Sequence, residues 1–211
     1  MNYNYLRYFS VLAQVEHYTL AAARLGISQP SLSSAIHNLE NELGGVKLFE
    51  KTGIAFAPFN TVYQLYDDKQ KGRLNGVTDF LMMPEYFMYK LTGVKAKEYT
   101  QATTTGLINV NSLKFDSYLT EKLGLPLNLF KDTTPPATVI GELLPEIQNE
   151  VGGNCKVVLC ATHDTGSAVE GIPMSENNPY ISSGTWSLLG VKTPKPITDE
   201  GSKKANYSNE G

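Results

Sequence analysis

Lys156-Val157-Val158-Leu159-Cys160-Ala161-Thr162-His163-Asp164-Thr165-Gly166-Ser167-Ala168-Val169 decides how this chain is read. Lys156–Cys160 is a short β-branched run and predicts a buried strand. The residues after it predict a turn that opens a helix. A carboxylate at the carboxyl end of a strand, beside a glycine and a helix start, projects into a cleft and suits a general base. The alternative is that Asp164 simply caps the helix. Further on, Tyr180-Ile181-Ser182-Ser183-Gly184-Thr185-Trp186-Ser187-Leu188-Leu189-Gly190 places two strand-like stretches around a hydroxyl-rich turn. Its N–H groups and hydroxyls suit a phosphate, and a bare hairpin turn is the alternative. A carboxylate that takes a hydroxyl proton and a turn that holds phosphate are parts that phosphoryl transfer needs.

Towards the N-terminus the texture changes. Residues 1–51 balance Arg7, Arg24, Lys47 and Lys51 against Glu16, Glu40, Glu42 and Glu50, and their single proline is Pro30. The whole formal charge of −3 therefore lies beyond them, with ten of the 11 prolines and several Thr-rich turns. No internal repeat occurs. The composition places a boundary near Lys51-Thr52-Gly53 and sets 1–52 apart.

Leu6, Phe9, Leu12 and Val15 recur at helical spacing and predict a first amphipathic helix. Thr19 is a cap for a second helix over Leu20–Leu25, which Gly26 ends in the left-handed position. Ser28 caps a third, with Pro30 in its first turn and a buried stripe of Leu32, Ile36, Leu39 and Leu43. Two helices around a tight glycine turn match the geometry that enters a DNA major groove, and a plain three-helix bundle is the alternative.

Specific stretches go further than pattern. Leu6-Arg7-Tyr8-Phe9, Ala21 through Ser33, Leu39-Glu40-Asn41-Glu42-Leu43-Gly44 and Leu48-Phe49-Glu50-Lys51 resemble the DNA-binding domain of LysR-type transcriptional regulators. That resemblance implies a winged-helix type helix-turn-helix with its wing missing. Gln29, Pro30, Ser33, Ser34 and His37 would then face duplex DNA. The family's exposed arginines are replaced here by Ser34, His37 and Asn38, so weak DNA binding is expected.

Phe56 through Leu65, Met83-Pro84-Glu85-Tyr86-Phe87, Tyr89 through Gly93, Glu98-Tyr99-Thr100-Gln101-Ala102-Thr103-Thr104-Thr105, His163-Asp164-Thr165 and Ser182 through Ser187 resemble the rhamnulokinase branch of the FGGY carbohydrate kinases. The fold this implies is an incomplete actin-like (RNase H-like) α/β sugar-kinase fold, so the whole chain is expected to be α+β or α/β. A further division into 53–175 and 176–211 is implied only by this resemblance. The implied activity is ATP-dependent phosphorylation of L-rhamnulose, or a related ketose, at its 1-hydroxyl with Mg²⁺. Asp164 would be the catalytic base, His163, Asp164 and Thr165 would contact sugar, and Thr185 would lie near the ATP phosphates. The family's leading phosphate hairpin and Gly-rich adenosine segment have no counterpart in this sequence, so the chain is expected to be inactive as a kinase on its own. A chimera of the two parents is the leading reading. A regulator that senses a sugar through a kinase-like module is the alternative.

Composition limits the other classes. Of 211 residues, 41% are apolar and 18% charged, which supports a buried core and excludes a disordered chain. The slight acidic excess gives no global field for nucleic acid. No leader pattern or membrane-length apolar run occurs, so a soluble, cytoplasmic protein is expected. Cys155 and Cys160 bracket the proposed strand. With His163 they offer only three ligands on opposing faces, so reduced thiols are expected and no metal site. Tyr86, Phe87 and Tyr89 are expected in the core. If the two parts never evolved to pack, residues 1–52 should form their own cluster around Phe9, Leu12, Leu25, Ile36 and Leu39.

Overall fold

A computed structural model describes residues 3–15, 17–42, 45–55, 57, 59–174, 178–184 and 187–210. Four helices come first: α1 (Tyr3–Val15), α2 (Tyr18–Leu25), α3 (Gln29–Glu42) and α4 (Gly45–Thr52). Gly26 ends α2 at φ 68°, the left-handed conformation that a Cβ would disfavour. Ser28 Oγ accepts from Ser31 N at 3.2 Å and so caps α3. The cap of α2 differs from expectation. His17, not Thr19, takes the extended cap position, and its Nδ1 accepts from Leu20 N at 3.4 Å.

The apolar stripes are buried as the periodicity requires, with Phe9, Leu12, Leu32, Ile36 and Leu39 all inside. Leu43 and the side chain of Leu6 lie outside the described residues. These residues do not form a cluster of their own. They share one core with Val62, Tyr63, Leu65 and Tyr66 of α5 (Thr61–Gln70) and with Leu107, Leu119, Leu123 and Leu125. Phe9 and Tyr63 meet at 5.2 Å between ring centroids, tilted by 51°. Leu25 is only partly buried against this core. The expected independent packing of residues 1–52 is thus corrected. An apolar stripe with nothing to cover it is costly, and α5 supplies the cover.

The stretch at 51–53 is wired in as well. Lys51 Nζ reaches Asp116 Oδ2 at 3.0 Å, and Lys51 O accepts from Val110 N at 2.9 Å. Gly53 stands at φ 64°, and its carbonyl accepts from both N and Nδ2 of Asn209, at 2.8 and 3.1 Å. A Cβ there would stand 2.8 Å from Asn209 Nδ2, so glycine is required on two counts.

The remainder is mixed helix and strand: α6 (Met83–Thr92), α7 (Tyr99–Thr103), α8 (Ser117–Lys122), β1 (Thr138–Glu142), α9 (Pro145–Val151), β2 (Lys156–Leu159), α10 (Asp164–Gly171), β3 (Pro179–Ser183), β4 (Ser187–Val191) and α11 (Glu200–Lys204). Among the described residues the sheets are two antiparallel pairs, β1 with β2 and β3 with β4. The strand at 156 is therefore not the buried strand expected. Only Leu159 is fully buried, while Val158 is 47% exposed, because β2 has a single partner strand. Cys155 and Cys160 are both free and exposed. Among the described residues no helix is long and apolar enough to cross a membrane.

Candidate functional site

β2 delivers the chain to Ala161-Thr162-His163, and α10 begins at Asp164. The Asp164 carboxylate is exposed, and its Oδ1 accepts from Thr165 N at 2.7 Å. Asp164 lines an open groove of about 690 Å³ whose other wall is Pro84, Phe87, Met88 and Leu91 of α6. Here the expectation for the aromatic cluster is corrected. Tyr86 is 46% and Phe87 62% exposed, and Phe87 faces this groove instead of the core.

His163 takes the extended N-cap position of α10. Its Nε2 lies 3.3 Å from a Glu210 carboxylate oxygen, while Nδ1 is buried and has no partner among the described residues. Gly166 makes room for the ring, since a Cβ there would stand 3.0 Å from Nδ1. Glu210 also ties this point to the hairpin: burial and the Glu210 charge push the Tyr180 phenol of β3 above its ordinary value. Thr165 is half-buried. Ser182 and Ser183 lie in β3, paired with Leu188 and Ser187 of β4 rather than in the expected turn, and Ser183 Oγ stands 3.3 Å from Ser187 Oγ. Thr185 lies outside the described residues. Among the described residues no three His, Cys, Asp or Glu side chains come together as a group that could hold a metal ion.

Sequence reasoning gave no role to Glu98, yet this side chain anchors the site. It is fully buried and caps α7, accepting from Thr100 N (2.8 Å), Gln101 N (2.9 Å) and Thr100 Oγ1 (2.5 Å). It also accepts from Thr162 N at 3.1 Å and Thr162 Oγ1 at 2.9 Å. Burial acts to raise its pKa, but these donors prevail and hold the carboxyl below its ordinary value. Behind it, Glu98 N donates to Glu85 Oε1 at 2.8 Å, and Met82 N donates to Glu85 Oε2 at 2.8 Å. Burial pushes the Glu85 carboxyl up. Lys97 is buried beside Asp79, 3.0 Å away, and its Nζ also donates to the Phe80 carbonyl. The available signal was an acidic residue two before a threonine at a helix start, a cap pattern that says nothing of its distant partners.

Gln29, Pro30, Ser33, Ser34 and His37 are all exposed on α3. Pro30 and Ser34 line a second groove of about 470 Å³ with Tyr5, Tyr8 and Asn38.

Residues 27–171 match the family model described as the FGGY family of carbohydrate kinases, N-terminal domain. The chain belongs to the FGGY carbohydrate kinase family. It is 45% identical over 184 residues to a rhamnulokinase of Oceanobacillus iheyensis, covering 86% of this chain and 39% of that one. It is 44% identical over 167 residues to a rhamnulokinase of Halalkalibacterium halodurans, covering 78% and 36%. The chain thus spans about two fifths of the length of these curated relatives. Both stretches of similarity are longer than residues 53–211 alone, and the family match begins at residue 27, so the kinase likeness reaches into the segment read as a regulator. Among solved structures, a xylulose kinase from Lactobacillus acidophilus superposes with a TM-score of 0.71 at 21% identity, over 81% of this chain and 36% of that one. A xylulose kinase from Rhodospirillum rubrum gives 0.62 at 16%, over 76% and 35%. The fold is that of the sugar kinases, and the family implies ATP and Mg²⁺ use in general.

Proposed function

We propose that this chain carries the sugar side of a rhamnulokinase-type site, with L-rhamnulose as substrate and Asp164 as the base. The observation that carries this is Asp164 at the start of α10, exposed on a groove, inside a segment about 45% identical to rhamnulokinases. In the family reaction the sugar hydroxyl oxygen bonds to the γ-phosphorus of ATP while the bond to the bridging oxygen breaks and ADP leaves. Asp164 accepts the hydroxyl proton. His163 and Thr165 flank it and orient the sugar, and Thr185 belongs with the phosphates. Phosphoryl transfer depends on positioning and charge stabilisation, so a base without a positioned donor contributes little.

Calorimetric titration of the 211-residue chain with L-rhamnulose tests the reading. Saturable binding is expected, weakened by His163→Ala and retained by Asp164→Asn. Absence of binding, or equal binding of an unrelated aldose, would refute the substrate. In a coupled ADP-release assay the chain itself is expected to stay at background. Turnover abolished by Asp164→Asn would overturn that expectation of inactivity while supporting Asp164 as base. A second reading, DNA contact through α3, rests on the uniform exposure of Gln29, Pro30, Ser33, Ser34 and His37.

A further inference from the structure

We propose that Glu98 and Thr100 form a clamp that sets the position of His163 and Asp164, which makes Glu98 a positioning residue of the sugar site. The inference rests on the sugar-kinase reading for its purpose and on geometry for its substance. Thr162, which immediately precedes the two site residues, gives both its backbone N–H and its hydroxyl to Glu98 across 64 positions of sequence. Thr100 Oγ1 works in both directions. It donates to Glu98 at 2.5 Å and accepts from His163 N at 3.3 Å. The loop is therefore held at two consecutive residues, 162 and 163.

The clamp is itself fixed. Glu98 N is bonded to Glu85 of α6, whose residues Phe87 and Leu91 form the opposite wall of the Asp164 groove. Tyr99 N donates to Thr134 O at 3.0 Å, and Thr134 N donates to Lys97 O at 2.6 Å. One polar chain thus links the two walls of the groove.

Only a carboxylate meets the demand at position 98. Its five partner atoms are all donors, four at Oε2 and Thr100 N at Oε1, and a glutamine would turn its NH₂ towards at least one of them. A displacement of about 1 Å at a reacting group can cost about 10²-fold in rate, so a rigid link behind the base has a clear use.

The experiment compares Thr162→Val, Thr162→Ser and Thr120→Val in the full chain. Thr120 is a threonine buried more deeply than the half-buried Thr162, and its hydroxyl donates to Asp116 O and Ser117 O, away from the groove. Three readouts are taken: amide hydrogen exchange over 160–168, the ring resonances of His163, and the dissociation constant for L-rhamnulose. The chain has three histidines, so the ring signals are assignable by substitution. Thr162→Val is expected to speed exchange in 160–168 by about tenfold, the scale of one lost hydrogen bond, and to move the His163 resonances. Thr162→Ser should restore both, and Thr120→Val should change neither. If wild-type chain binds L-rhamnulose, Thr162→Val should weaken binding about tenfold as well. If it does not, the substrate reading fails while exchange and resonances still decide the clamp. Equal effects from Thr162→Val and Thr120→Val, or no rescue by serine, would overturn the clamp.

Discussion

Replacing Phe9 by alanine removes a side chain that is only 5% exposed and meets Tyr63 in a tilted ring contact at 5.2 Å. Emptying such a position costs about 3–5 kcal/mol, of which the aromatic pairing supplies about 0.5–1.5 kcal/mol. In a chain of this size each kcal/mol lowers Tm by about 2–4 °C, so a drop of about 6–20 °C is expected. The location of the damage matters more than its size. Because α1 and α5 share one core, Phe9→Ala should loosen the amides of Val62, Tyr63, Leu65 and Tyr66 along with those of α1. Calorimetry with hydrogen exchange read at both helices checks this, and a Phe9–Tyr63 double-mutant cycle should return a coupling within the aromatic range. A separate early transition that alone moves, with α5 protection unchanged, would refute the common core.

Asp79, Glu98 and Asp116 have carboxyls held below their ordinary values, Asp79 and Asp116 by hydrogen bonds from lysines and other donors that outweigh burial. Each contributes stability that is complete above the unfolded carboxylate value and is lost as pH falls through the folded one, whereas Glu85, held above, acts in the opposite sense. Tm is expected to fall as pH drops from about 5 to about 3, and a flat or rising Tm there would contradict this. Duplex DNA should bind weakly with a shallow salt dependence, since α3 presents serines and a histidine instead of arginines; a mobility-shift titration showing nanomolar, sequence-selective binding at physiological salt would contradict it. Cys155 and Cys160 are exposed and free, so both should react with a thiol-exchange reagent in the native chain, and the double serine variant should leave stability within about 0.5 kcal/mol.

Much of the local structure was legible because it is set by short-range rules. Gly26, Ser28 and the turn into α10 all follow from cap and turn chemistry. What could not be read was which surface covers which. Periodicity marks Phe9 and Leu12 as buried but is silent on Tyr63 as their partner. The same gap misplaced Phe87, since an aromatic run gives no direction to its faces, and it hid Glu98, whose decisive donors come from Thr162. Likewise a β-branched run predicted a buried strand at 156–160, but burial of a strand depends on neighbours that its own residues do not specify. The resemblance of residues 1–52 to a regulator rested on short stretches from Leu6 to Lys51, and the kinase likeness from residue 27 onward overlaps the later of them.

The bonds between Gly53 and Asn209 have a consequence for the order of events on the ribosome. Their partners are separated by 156 positions, and synthesis proceeds at about 5–20 residues per second. The carbonyl of Gly53 therefore emerges about 8–30 seconds before the side chain that will satisfy it. During that interval the end of α4 is held by Asp116 and Val110, which arrive sooner, and Asn209 acts as the last fastener. A nascent chain arrested between residues 130 and 200 should thus already protect the Lys51 region while Gly53 still exchanges freely, so the closing contact would report the arrival of residue 209.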